Sequence, residues 1–213
     1  MLRLKIDLHV HTHYSNDSLI TPESLEHYAR KQGLNAVAVT DHDRLEGAKE
    51  IAKKVGILIV PGVEVSSSQG HVVGLAVEKS VPSRLGVEET VDKIHEAGGI
   101  AVACHPASLF KGSVGDRSNA KFDAVEVVNS SAFPFNRSVV MGERLASRLG
   151  VAKVGGSDAH YGPEIGYAYT IVDATLETEE IIRAIRERKC HAEGKAIPLS
   201  FRIKRKLLAA LTK

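Results

Sequence analysis

Ala36-Val37-Ala38-Val39-Thr40-Asp41-His42-Asp43 is an apolar run that stops abruptly at a histidine set between two carboxylates. Alanine and valine with no polar break read as a strand buried on both faces, the pattern of a parallel sheet covered by helices. The polar group that follows falls at the carboxyl end of that strand, where such sheets carry their chemistry. Working outward, the arrangement recurs. Leu2 to Asp7 alternates as a short strand and runs into Asp7-Leu8-His9-Val10-His11, with Asp17 six residues further on. Downstream, Ile57-Leu58-Ile59-Val60 reads as a buried strand ending at Pro61-Gly62, just before Glu64. His71 opens a strand through Val77, Ile100 to Cys104 leads into His105-Pro106, and Val151 to Val154 leads into Gly156-Ser157-Asp158-Ala159-His160.

Helical segments separate these strands. Thr21-Pro22-Glu23 offers a capping hydroxyl, a proline at the first helical position and an early acid, so a helix runs from there to about Gln32 and stops at Gly33. Further helices are predicted over Glu46–Val55, Val87–Ala97, Arg137–Leu149 and Glu177–Lys189, several closed by glycine. Ala124–Val128 and Tyr167–Val172 add strands. About seven strand–helix units with no linker or low-complexity tract predict one α/β domain over residues 1–213, a parallel sheet closed into a (β/α) barrel.

Composition fits a soluble enzyme. The chain has 213 residues, enough for one large core, and its 28 basic and 26 acidic residues leave a net charge of only +2. That balance gives no global attraction to nucleic acid or membrane. The two cysteines, Cys104 and Cys190, form no CxxC pattern, and neither a signal-peptide core nor a membrane-length apolar run occurs, so the cytoplasm is the expected location. Cys104 is expected to pack as a small apolar residue. The segment Phe201–Leu211 is basic and amphipathic. It is expected to lay its apolar side on the barrel and leave its lysines in water; contact with nucleic acid or an anionic membrane is the alternative.

In a barrel of this kind the strand ends converge on one mouth, so residues far apart in sequence share a pocket. Residues two apart on an extended segment point the same way, which pairs His9 with His11 and Asp158 with His160. Neutral imidazole and carboxylate are ligands that zinc, manganese and iron accept together. His27, His95 and His191 lie outside the clusters, and His13 is out of phase with His9 and His11. Asp7, Asp41 and Asp43 are expected to orient ligands, and Glu126 to be an acid of the barrel interior in a supporting role. No GxSxG elbow, Walker A loop or GxGxxG motif offers another chemistry.

Taken in order, Asp7-Leu8-His9-x-His11-Thr12, Thr40-Asp41-His42-Asp43, Gly62-Val63-Glu64, His71, His105-Pro106 and Gly156-Ser157-Asp158-Ala159-His160 resemble the PHP (polymerase and histidinol phosphatase) superfamily. The resemblance implies a distorted seven-stranded, TIM-like (β/α) barrel and hydrolysis of phosphoesters by a metal-activated water. It implies two or three divalent ions (Mn, Zn or Fe): one on His9, His11, Glu64 and Asp158, a second on Glu64, His71 and His105, a third on Asp17, His42 and His160. Glu64 would bridge, and Glu64, Asp158 and His160 would stand nearest the chemistry. At Asp17 the family varies in spacing, and Asn16 occupies the position where some members place the acid.

The segment from Ala107 to Phe122 is long for a barrel loop and carries Lys111 and Arg117, candidate cations for a substrate phosphate; Arg137 is a third. A loop over the mouth suits a small phosphomonoester or nucleotide. The alternatives are an exonuclease on nucleic acid in either polarity, a histidinol-phosphate phosphatase, and a non-catalytic binding subunit. Intact ligands speak against the last.

Overall fold

The computed structural model describes residues 2–109, 111–115 and 120–211. The strands are β1 (Leu2–Val10), β2 (Ala36–Val39), β3 (Leu58–Ser67), β4 (Gly70–Leu75), β5 (Ile100–Ala103), β6 (Ala124–Asn129), β7 (Ala152–Gly156), β8 (Ala168–Ala174) and β9 (Cys190–Gly194). The helices are α1 (Pro22–Lys31), α2 (Glu46–Ala52), α3 (Val87–Glu96), α4 (Phe135–Leu149), α5 (Thr178–Arg186) and α6 (Leu199–Leu211). Among the described residues there are thus nine strands in a single sheet, ordered β7-β6-β5-β4-β3-β2-β1-β8-β9, where the family resemblance implied seven.

The sheet is also mixed, not parallel throughout. β1, β2 and β3 pair in parallel, as do β5, β6 and β7, but β4 runs antiparallel to both its neighbours and β8 is antiparallel to β1 and β9. The sheet curls into a nearly closed TIM-like barrel. Its seam lies where the chain beyond β7 meets β1: His11 N donates to Ala159 O at 3.0 Å and Asp158 N to His9 O at 2.7 Å. Below the seam β8 presses on β7 so closely that a Cβ on Gly155 would lie 2.9 Å from the Tyr169 carbonyl oxygen. Only glycine allows that approach.

Alternation along each strand sorts the apolar residues into two layers. Leu4, Ile6, Leu8, Val60, Val73, Leu75, Val102 and Val154 fill the barrel, and Val37, Val39, Val63, Val65, Val125 and Val127 pack outward with Leu25, Ile51, Ile94 and Leu145 of the helices. The pairing register shifts in β1 between Asp7 and Val10 and in β6 between Glu126 and Val128. A bulge lets two successive residues share a face. Leu8 and His9 therefore both line the barrel interior, and Val127 and Val128 both belong to the outer layer.

Local signals match where they are chemical. Thr21 Oγ1 accepts from Ser24 N at 3.2 Å and caps α1, and α4 ends at Gly150, whose φ of 67° is left-handed. The expected end of the third strand at Pro61-Gly62 is overturned: β3 runs on to Ser67, so Glu64 lies inside a strand. α6 contradicts its expectation as well. No residue of α6 is buried, and Leu199, Ile203, Leu207 and Leu211 are 70, 51, 62 and 82 % exposed. Its apolar stripe faces solvent, the half-buried Arg202 and Arg205 turn toward the protein, and Lys204 and Lys206 stay exposed as expected, Lys206 at the edge of the cavity. Among the described residues no helix is long and apolar enough to cross a membrane.

Candidate metal centre

The barrel mouth holds a cavity of about 950 Å³ whose floor is built from strand ends. His9 and His11 come from β1 and the residues just after it, Glu64 from β3, His105 from the end of β5, and Asp158 with His160 from the segment after β7. The bulge in β1 turns His9 inward directly after Leu8, and His11 follows two residues later on the same side. His71 sits at the start of β4, not at a strand's end. Because β4 is antiparallel and pairs Ser66 with His71, its beginning lies at the mouth. The hairpin also stacks Val73 opposite Glu64, so His71 and Glu64 point to one side.

Five donors are deeply buried: His9, His11, Glu64, His105 and Asp158. Around the first pair, His9 Nε2 lies 3.1 Å from His11 Nε2, and Glu64 Oε2 lies 3.5 and 3.1 Å from those two atoms. Asp158 Oδ1 is 3.5 Å from His11 Nε2 and 3.9 Å from His9 Nε2. Ligands about 2.1 Å from a common tetrahedral ion stand roughly 3.4 Å apart. The spacing fits one ion. The other oxygen of Glu64 faces elsewhere: Oε1 is 2.9 Å from both His71 Nδ1 and His105 Nε2. Nearer solvent, Asp17 Oδ2 lies 3.1 Å from His160 Nε2 and 3.7 Å from His42 Nε2, and His42 Nδ1 is 3.1 Å from Glu64 Oε2. All nine candidate ligands are gathered around Glu64, and the deep ones give way to partly exposed His42, His71 and Asp17 at the rim.

The electrostatics favour cations. Burial would raise the carboxyls of Glu64 and Asp158. His9 with the imidazoles of His105, His11 and His71 holds Glu64 well below the usual range, and Lys111 with His9 does the same for Asp158. Burial opposes a charge on His9, yet Glu126, Asp158 and Glu64 carry its pKa well above the ordinary value. Three buried carboxylates thus face one lysine, which makes the pocket a receptor for positive charge. His160 behaves in the opposite way: burial and the neighbouring His11 push it down to about 4, leaving the neutral imidazole that a metal accepts.

Supporting contacts explain why these donors hold their places. Glu126 Oε1 lies 3.2 Å from His9 Nδ1, and its Oε2 accepts from His105 N and from Asn129 Nδ2, each at 2.9 Å. Asn129 also donates to Asp158 Oδ2 at 3.1 Å. The bulge in β6 puts Glu126 and Asn129 on one face despite their odd spacing, which is why sequence alternation found the first and missed the second. Asp7 and Asp43 orient backbone, and Asp41 also holds the Ser15 hydroxyl, which lies 3.3 Å from His11 Nδ1. Asp7 accepts from the amides of His9, Ser157 and Gly166, Asp41 from Thr12 and Ser15, and Asp43 from Ser66 N. His105 and Asp158 have φ of 32° and 53°, left-handed values that only a firmly held backbone imposes on such residues.

Of the expected phosphate cations, Lys111 reaches the pocket and contacts Asp158 Oδ2. Beside it Gly112 lies so near the His71 ring that a Cβ would come within 2.7 Å. Arg117 lies outside the described residues. Arg137 is corrected: it is exposed on the first turn of α4 and does not line the cavity. The cations that do line it, besides Lys111, are Arg202, Arg205 and Lys206. Their spacing of three and four is that of one helical stripe, of which the sequence reading places only the lysines in water. His13 is exposed at the cavity edge, and Cys104 is buried with its thiol 3.5 Å from Glu64 Oε1.

A (β/α) barrel that gathers imidazoles and carboxylates at one mouth has the architecture of a metal-dependent hydrolase. The chain belongs to the PHP family: residues 7–113 match the PHP domain and residues 140–190 the PHP-associated family. It is 37% identical over 141 residues to an uncharacterized protein of Methanocaldococcus jannaschii, a match covering 60% of this chain and 82% of that one. A 5'-3' exoribonuclease of Haemophilus influenzae is 35% identical over 105 residues, 46% of this chain and 38% of the relative. A phosphoribosyl 1,2-cyclic phosphate 1,2-diphosphodiesterase of Eggerthella lenta is 35% identical over 86 residues, 36% of this chain and 32% of the relative. The chain therefore spans about a third of each of these two relatives with a named activity. The fold is shared with a two-domain protein of Bacteroides vulgatus described as containing a predicted PHP-like metal-dependent phosphoesterase. The TM-score is 0.74 at 19% identity, over 91% of this chain and 65% of that one. It is shared too with a lesion-specific endonuclease of Pyrococcus furiosus, at a TM-score of 0.70 and 20% identity, over 90% of this chain and 58% of that one.

Proposed function

We propose that this chain hydrolyses phosphoric esters with two or three divalent ions held at the barrel mouth. The observation that carries the proposal is Glu64: its two oxygens serve two different donor sets, His9 and His11 on one side, His71 and His105 on the other. One ion is assigned to His9, His11, Glu64 and Asp158, a second to Glu64, His71 and His105, and a third to Asp17, His42 and His160. Bound divalent ions would supply the nucleophile by acidifying water and would neutralise charge developing on the phosphoryl oxygens. The chain's own residues do the rest. Glu126 fixes the ring of His9, Asn129 holds the Asp158 carboxylate, and Lys111 stands where it can leave Asp158 for an incoming phosphate oxygen. The nitrogen-rich donor set suits manganese, iron or zinc better than magnesium or calcium. The free thiols of Cys104 and Cys190 support a reducing compartment, the cytoplasm.

A cavity of about 950 Å³, walled by the loop carrying Leu109 and Lys111 on one side and α6 on the other, favours a small phosphomonoester or nucleotide. A second reading, an exonuclease that admits only the end of a strand, draws support from the named exoribonuclease relative and from the basic α6 wall. Metal analysis of the purified protein, with a screen of phosphate and nucleotide release over small monoesters and oligonucleotides, tests both. Two or three ions per chain and manganese-dependent release from monoesters are expected. No release from any phosphoester under metal-replete conditions would overturn the proposal, and efficient shortening of long strands would reverse the two readings.

A further inference from the structure

α6 is amphipathic in the unexpected sense: its half-buried arginines lie against the protein, with exposed Lys206 beside them at the cavity edge, and its apolar stripe faces out. Arg202, Arg205, Lys206 and Ala209, spaced three, four and seven residues apart along one face, line the same cavity as Glu64, His71 and Asp158. The helix is anchored at its start. Ile197 N donates to Ser130 O at 2.9 Å, Ile197 is buried, and Phe201 packs edge-on against Tyr167 with ring centres 5.8 Å apart.

The cations of this stripe fall into two groups. Arg205 is neutralised: its Nη1 lies 3.0 Å from Oε2 of the buried Glu164, and that oxygen also accepts from His160 N at 3.0 Å. Arg205 is thus a latch between α6 and the segment carrying Asp158 and His160. Arg202 and Lys206 are different. Arg202 donates to the carbonyls of Ser130 and Ile197 at 3.1 and 3.4 Å, and among the described residues no carboxylate lies within ion-pair reach of either side chain. Burial, with Arg205 nearby, lowers the Arg202 pKa, and the carboxylates of Glu164 and Asp158, beyond ion-pair reach, offset this only in part. Such a cation facing a cavity is completed by an anion.

We infer that Arg202 and Lys206 form a second anion subsite of the cavity, which binds a phosphate of the substrate other than the one cleaved at the Glu64 cluster. The inference rests on the phosphoesterase reading and deepens it: substrates that carry a further phosphate are preferred over simple monoesters, and α6 sets that preference. Lys111 serves the cleaved phosphate, Arg205 holds the helix in place, and Arg202 with Lys206 reads the rest of the substrate.

The test compares the manganese-loaded full chain with its Arg202→Gln/Lys206→Gln double variant, in which Arg205 and its latch are retained. Two probes are used, p-nitrophenyl phosphate and a 5'-phosphorylated dinucleotide. For the dinucleotide KM is expected to rise about tenfold or more, the scale of lost charge-assisted contacts, with little change in kcat; turnover of p-nitrophenyl phosphate should stay within about twofold. The charge-preserving exchange Arg202→Lys/Lys206→Arg should restore most of the dinucleotide affinity. In parallel, the dinucleotide is titrated into chelator-treated protein. Binding should weaken by a similar factor in the double variant, and its salt dependence should become shallower. Equal losses on both probes, or unchanged binding and KM for the dinucleotide, would overturn the subsite. If wild-type protein cleaves neither probe, the phosphoesterase reading fails, and the titration still decides whether α6 binds the second phosphate.

Discussion

The floor of the mouth and its α6 wall carry opposite charges and are built on opposite principles. The floor is made of strand ends whose side chains are buried and fixed by hydrogen-bonded register: Glu64 opposite Val73, His71 opposite Ser66, Asp158 N bound to His9 O. The wall is a helix with no buried residue, held by hydrogen bonds from Ile197 and Arg202 to the Ser130 carbonyl, one ring contact and the Arg205–Glu164 pair. The floor accumulates negative charge under enforced burial, and the wall presents positive charge that remains partly wet. Chemistry that must be placed to a fraction of an ångström is assigned to the part fixed by burial and register, and recognition of the remainder of the substrate to the part held by fewer contacts.

The largest effect expected from this contrast is at its deepest point. Glu64→Gln removes a carboxylate facing both donor sets, and phosphate release should fall on the order of a thousandfold, the loss seen when a single charge-stabilising group is deleted. The circular dichroism spectrum should stay native, and turnover close to wild type would dissolve the distinction between floor and wall. A smaller effect belongs one layer further in. Glu126→Gln leaves every candidate ligand present but loosens His9 and His105, so metal affinity, read by competition with a chelator, should drop about 10- to 100-fold. An unchanged affinity would mean that the strands alone orient those rings. The smallest effect is on the outside of the wall. Leu207→Lys changes an outward-facing apolar residue, so the unfolding free energy should move by less than about 0.5 kcal/mol and activity should be unaffected. A clear loss of either would place that face against something.

The same contrast governs what could be read from the sequence. His9, His11, Glu64, His105, Asp158 and His160 were legible because a run of apolar residues precedes each cluster and, within a cluster, residues two apart point the same way. The count and direction of strands were less so. β9 has only half-buried and exposed residues and no apolar run to announce it, and the antiparallel β4 was indistinguishable from a parallel strand by composition alone. Asn129 stayed hidden because the β6 bulge breaks the period of two that the reading relies on. α6 was misread for a thermodynamic reason. Leucines on one side of a helix normally mark its buried face, but here the pull comes from the carboxylates of the mouth, with Glu164 binding Arg205 directly.

The two bulges have a consequence for how this chain tolerates change. Each converts an even count of residues into an odd one, so the facing of His9 and of Asn129 depends on the number of residues before them and not on their neighbours' identity. Substitutions along the outer layer of β1 and β6 leave that count intact. Loss of a single residue between Ile6 and His9 with the bulge kept would turn His9 and His11 together toward the helices, however conservative the surrounding sequence. A length-altering scan and a substitution scan of these strands would therefore give inverted maps, with the most permissive positions for exchange among the least permissive for deletion.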